Sequence, residues 1–100
     1  MSVLHQLRTE RVKSEKPVVK VVDKGNGFKM VGIALAKNVE LKDHKTSLAS
    51  KLVIIEGVVE YKESARCFTL HQFDEIDIPE NEMHALVAKE DSLCLLIQKN

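Results

Sequence analysis

Lys51-Leu52-Val53-Ile54-Ile55-Glu56-Gly57 is the segment on which the fold turns. It is short, rich in β-branched residues, and closed by a glycine. Branching at Cβ stiffens χ1 and favours the extended backbone. Both faces of the run are apolar, as in a strand deep inside a two-layer β structure. Reading outward, the same grammar repeats. Downstream, Val58-Val59-Glu60-Tyr61 is extended, Lys62 to Arg66 is polar and reads as a turn, and Cys67 to His71 pairs back. Asp74 to Pro79 alternates, with Ile76 and Ile78 on one face and Glu75 and Asp77 on the other. His84 to Val87 and Ser92 to Gln98 are the last two strands.

Upstream, Pro17 to Val22 and Phe28 to Ala36 are extended, separated by the turn residues Asp23 to Gly27. Val39, Leu41 and Asp43 alternate with Glu40, Lys42 and His44. Val3, Leu4 and Leu7 recur with weak helical spacing, and Lys16-Pro17 ends any helix there. The count is about eight to ten short strands with regular turns, the signature of an all-β sandwich or barrel. The chain divides into an N-terminal arm, residues 1–16, and one β-barrel domain, residues 17–100.

Composition narrows the function. Fifteen basic residues balance fifteen acidic ones over 100 residues. Zero net charge gives no general attraction to nucleic acid or to an anionic membrane, so neither is an expected partner. The segment Arg8 to Lys20 is basic and reads as a solvated face. No apolar run approaches membrane-spanning length, and the N-terminus has no apolar leader core. Cys67 and Cys94 do not share a short metal-binding spacing, and Cys94 sits in the apolar run Leu93 to Ile97. A cytoplasmic protein with two free thiols is expected. The sequence has no glycine-rich phosphate loop, nucleophile elbow or basic-aromatic pattern.

From Asn38 to Ala88 the spacing resembles the two motifs of the cupin superfamily. The first motif runs Gly-x5-His-x-His-x3,4-Glu-x6-Gly. Asn38, His44, Thr46, Ser50 and Gly57 stand at its positions. The second runs Gly-x5-Pro-x-Gly-x2-His-x3-Asn. Phe73, Pro79, Asn81, His84 and Ala88 stand there. The resemblance covers about half the chain and extends to short one-domain bacterial cupins. It implies a single-domain cupin-type β-barrel, a double-stranded β-helix or jelly roll. Asn tolerates the left-handed backbone of a motif glycine, so Asn38 and Asn81 keep the turn chemistry. Phe73 departs from it and leaves the turn before Asp74 without a residue suited to it.

In metal-bearing cupins, three His and one Glu converge on a divalent ion. Here the resemblance leaves His44 and His84, with the neutral hydroxyls Thr46 and Ser50 in place of the other two. His71 lies outside the matching ligand positions, and His5 sits in the arm. The expected function is a cupin that binds a small polar ligand through His44, Thr46, Ser50 and His84, with a weak or absent metal site. The alternative is a metal-dependent enzyme of dioxygenase or isomerase type, in which His44 and His84 hold Fe, Mn, Ni, Cu or Zn. The family also implies a homodimer, made by lending the strand Val18 to Val22.

Overall fold

A computed structural model describes residues 2–44 and 48–99, and only the backbone of Asp43 and His44. Its elements are α1 (Val3–Arg11), β1 (Val18–Gly25), β2 (Phe28–Leu35), β3 (Glu40–His44), β4 (Ser50–Glu56), β5 (Val59–Glu63), β6 (Cys67–Leu70), β7 (Glu75–Ile78), β8 (His84–Ala88) and β9 (Ser92–Lys99). The strands form two antiparallel sheets. One has the order β1-β2-β9-β4-β7, the other β3-β8-β5-β6. Chain neighbours such as β3 and β4 lie in different sheets, as the crossing connections of a jelly roll require.

Period-2 alternation places one side chain in two between the sheets. In β4, Ser50, Leu52 and Ile54 are buried, and the residues between them are half-buried. The core consists of Val31, Ile33, Leu35, Leu52, Ile54, Val59, Tyr61, Leu70, Ile78, Leu86, Ala88 and Cys94. Burial pushes the Cys94 thiol up to about 12, so this cysteine behaves as a small apolar residue.

Helix α1 lies on the outer face of the five-stranded sheet. Ser2 caps it, its side chain accepting from His5 N at 3.2 Å. Leu7 is fully buried, with Ala34 and Leu93, beside Val3, Leu4, Val18 and Ile55. Burying one such leucine contributes about 1.5–3 kcal/mol. A Cβ on Gly32 would lie 2.4 Å from Leu7 Cδ1, so the bare backbone at 32 lets the helix approach the sheet. Arg11 Nη1 then donates to Glu56 Oε1 at 2.7 Å and to Ser92 O at 3.1 Å.

The turns confirm the motif spacing in backbone form. Asn38, Gly57, Phe73 and Asn81 all have positive φ, at 73°, 91°, 71° and 61°. Phe73 takes this conformation despite its side chain. It is the third residue of the turn His71 to Asp74, closed by Asp74 N donating to His71 O at 2.9 Å. A positive φ at that position normally calls for glycine. The Phe73 ring stands out in solvent.

Candidate functional site at the barrel mouth

The strand registers sort the inward residues into rows. In the five-stranded sheet, Ile33, Cys94 and Ile54 form one row, and Val31, Leu96, Leu52 and Ile76 the next. The third row is Lys29, Gln98, Ser50 and Ile78. In the four-stranded sheet the corresponding rows are Ala88, Val59 and Leu70, then Leu41, Leu86, Tyr61 and Phe68, then His44, His84 and Glu63. The two last rows lie at the same end of the barrel. They carry the polar residues, and the rows behind them are apolar except for the Tyr61 hydroxyl. This end is the mouth, and its row is the candidate site.

His84 is 3 % exposed. Its Nδ1 lies 3.1 Å from the carbonyl oxygen of Glu82. A carbonyl only accepts, so in this contact Nδ1 is the donor. Ser50 is buried, and its Oγ donates to Leu48 O at 3.2 Å. His44 is paired with His84 across β3 and β8 by its backbone. Thr46 lies outside the described residues. His71 is exposed near Asp74 at the opposite end, away from His84. His5 lies in α1.

Beside His84, on β5, the sequence reading missed a second group of residues. Strand β5 continues one pleat further than expected, through Lys62 and Glu63, so Glu63 follows Val59 and Tyr61 onto the inward face. Its side chain is 5 % exposed. Arg66 closes a fork on it, with Nε to Oε1 and Nη2 to Oε2 both at 2.6 Å. The buried Tyr61 donates its hydroxyl to Glu63 Oε2. These partners set the charges. The Arg66 hydrogen bonds hold the Glu63 carboxyl below the usual carboxylate range, against the opposing effect of burial, with Tyr61 and His84 adding smaller contributions. Burial, and then the bond to Glu63, raises the Tyr61 phenol and keeps it a donor.

Arg66 also reaches the other sheet. Its Nη2 donates to Asp77 O on β7 at 3.3 Å. Strands β6 and β7 are the edges of their sheets, so this bond crosses the open seam between them. The guanidinium lies 5.4 Å from the centre of the Phe68 ring. Phe68, Tyr61 and His84 continue as a stack, with ring centres 6.5 and 6.0 Å apart. The available signal in the sequence was the alternation Val59, Tyr61, Glu63 with Arg66 three residues on.

Two clefts flank the row. One, of about 280 Å3, is walled by Ser50, Lys51, Asp77, Ile78, Pro79 and Ile97 among others. The second, of about 270 Å3, is lined by Lys62, Glu63, Ser64 and Met83. Among the described residues, no three His, Cys, Asp or Glu side chains are grouped to share an ion. His44 and Thr46, whose side chains lie outside the description, do not enter that statement.

Two facing antiparallel sheets, crossed connections and an end layer of polar residues define a cupin β-barrel, and that is the fold of this chain. No family model and no curated protein matches the sequence. Solved structures do match. An RmlC-like cupin protein from Desulfovibrio desulfuricans is 19 % identical with a TM-score of 0.78, over 85 % of this chain and 83 % of that one. A conserved protein of unknown function from Streptococcus pyogenes is 18 % identical with a TM-score of 0.78, over 88 % and 77 %. A DMSP lyase from Ruegeria pomeroyi is 11 % identical with a TM-score of 0.78, over 84 % of this chain and 47 % of that one. At these identities the likeness is one of fold.

Proposed function

We propose that this chain holds a small polar molecule at the barrel mouth, through Ser50 and His84 together with His44 and Thr46, and without a tightly held metal. The observation that carries this reading is the single polar row, Ser50 and Gln98 facing His84 and Glu63, laid over an otherwise apolar core. Few, fixed polar groups against apolar walls are the usual make-up of a small-molecule site. The metal-ligand positions that the motif gives to carboxylate and imidazole are filled by Ser50 and Thr46, and hydroxyls are weak donors to a divalent ion. The DMSP lyase shows that this fold can serve an enzyme, and its reaction is not carried over to this chain.

The test is an amide chemical-shift titration with a panel of sugars, hydroxy acids and amino acids. A binding molecule is expected to move residues 50, 63, 84 and 98 first. Its Kd is expected to rise about tenfold or more in His84→Ala, the loss of one hydrogen bond in a buried site. An unchanged Kd in that variant would overturn the reading.

We further expect a homodimer formed along β1. This strand pairs with β2 of its own chain and is an edge of the five-stranded sheet, with Val19 and Val21 exposed along it. A monomer by light scattering at high concentration counts against it. A cytoplasmic setting suits the two free thiols, Cys67 and Cys94. None of the described helices is long and apolar enough to cross a membrane.

A further inference from the structure

The inward row of the five-stranded sheet at the mouth begins before Gln98 and Ser50. Lys29 stands next to Gln98, and on β1 Lys24 lies directly opposite Lys29. Directly opposed residues of antiparallel strands share a face, with Cβ atoms about 4.5–5.5 Å apart, and two like charges so placed repel. Both residues are exposed. Lys20, Lys51, Lys62 and Lys89 each reach a carboxylate. Among the described residues, no carboxylate pairs with Lys24 or Lys29. Asp23 is taken by backbone, its Oδ1 accepting from Lys24 N at 2.9 Å. The fold thus sets two positive charges side by side at the rim of the polar row, and no described side chain neutralises them. We infer that the molecule held at the mouth is an anion, a small hydroxylated carboxylate or phosphate ester, whose charge Lys24 and Lys29 share. This rests on the mouth row being the binding site, and it goes further by naming the charge and class of the ligand.

The other charges near the mouth do not cancel this pair. Glu63, in the facing row, is closed by the Arg66 fork, so the two together bring no net charge. Glu75 and Asp77 are directed to Lys51. The chain as a whole is neutral, so the positive excess is local to this rim. A rim of one sign draws opposite charge in and raises its concentration at the site. Ser50 lies two strands from Lys29, roughly 10 Å across the sheet. One lysine side chain and a body of a few carbon atoms cover that span together. A ligand whose anionic oxygens meet the ammonium groups therefore carries its hydroxyls over Ser50. Ser50 Oγ donates to Leu48 O and keeps its acceptor capacity for one of them. Neither lysine lies within the two sequence motifs, and their juxtaposition appears only in the register of β1 with β2.

The experiment titrates the isotope-labelled full chain with matched probes at constant low ionic strength, following amide chemical shifts. The probes are glycerate against glycerol, gluconate against sorbitol, and glycerol 3-phosphate. At least one anion is expected to bind about tenfold tighter than its neutral counterpart, as two exposed ionic contacts together allow. Tighter binding of glycerol 3-phosphate than of glycerate selects the phosphate ester, and the reverse selects the carboxylate. Lys24→Gln and Lys29→Gln should each weaken the preferred anion about threefold, and the double variant should bind anion and polyol equally. Lys37→Gln removes the same charge beside the turn at Asn38, away from the mouth, and should leave the preference intact. The ligand-free protein gives a second readout. Each single substitution relieves the repulsion and should raise Tm by about 1–4 °C at low salt, with little further gain in the double variant. No anion binding tighter than its neutral counterpart, a preference that survives the double variant, an equal loss in Lys37→Gln, or a lower Tm in both single variants each overturns the inference. A polyol that binds in those cases and moves residues 50 and 84 leaves the proposed function standing.

Discussion

At one end of the barrel the turns around Asn38, Gly57 and Phe73 close the interior with backbone. At the other, around Asn81, side chains meet in a polar row. The closed end is held by main-chain bonds: Asn38 N to Ala88 O at 2.8 Å, Phe73 N to Ile54 O at 2.7 Å and Lys89 N to Val58 O at 2.8 Å. The mouth is held by the Tyr61, Glu63 and Arg66 network. A backbone bond is indifferent to which residue supplies it, provided that the residue tolerates the required φ. A side-chain bond vanishes with its residue. The closed end therefore keeps its main-chain bonds with Asn38 and even Phe73 at positive φ, while the mouth depends on the identity of each side chain.

The sharpest attempt to break this contrast is Gly57→Ala. A Cβ there would lie 2.3 Å from Ser92 Oγ and 2.4 Å from the backbone oxygen of Asp91, on a residue at φ 91°. Backbone strain and overpacking together should cost on the order of 2–4 kcal/mol in urea unfolding. A loss below about 1 kcal/mol would mean that the closed end is more compliant than described.

Glu63→Gln tests the mouth, with an expected loss of about 1–3 kcal/mol at pH 7. The lowered carboxyl gives this loss a pH signature. The folded state holds Glu63 ionised at a pH where the unfolded chain, with an ordinary glutamate near ~4.3, is taking up its proton. The stabilisation is complete above that value and fades as pH falls through the lower folded one. The difference between wild type and Glu63→Gln should narrow progressively as pH falls below the ordinary glutamate value. A gap that stays constant from neutral to acid pH would assign the effect to packing instead of charge.

The smallest expected effect, and the one of opposite sign, is Phe73→Gly. Removing a left-handed non-glycine residue whose ring stands in solvent should stabilise by about 0.5–1 kcal/mol. Asn38→Gly and Asn81→Gly should gain less, because asparagine already tolerates this region. A destabilised Phe73→Gly would mean that the exposed ring contributes something the monomer does not show.

This contrast also explains what was legible in the sequence. Strands with strong alternation, such as Lys51 to Glu56 and Glu75 to Ile78, and turns at Gly and Asn can be read because local chemistry selects them. Four positive-φ residues stand at the motif's glycine positions: the residue types agreed with the spacing at Asn38, Gly57 and Asn81, whereas at Phe73 the residue type spoke against the turn that the structure nevertheless forms. The helix over Val3 to Arg11 has weak periodicity because much of its support comes from Leu7 packing on the bare backbone of Gly32, a contact no local window contains. The row of His84 and Glu63 is a product of register between strands 21 residues apart in sequence. Lys62 to Arg66 is polar and reads as a turn. Its role appears only when β5 extends through Glu63 and turns that carboxylate inward.

One feature of that network reaches beyond stability. The chain has one tyrosine and no tryptophan. The single tyrosine is Tyr61, buried between the rings of His84 and Phe68, with its hydroxyl on Glu63. All of the near-ultraviolet emission that tyrosine and tryptophan can give this protein therefore originates one bond from the mouth. The unlabelled protein carries its own reporter there, and any occupant that pulls on Glu63 will change its light.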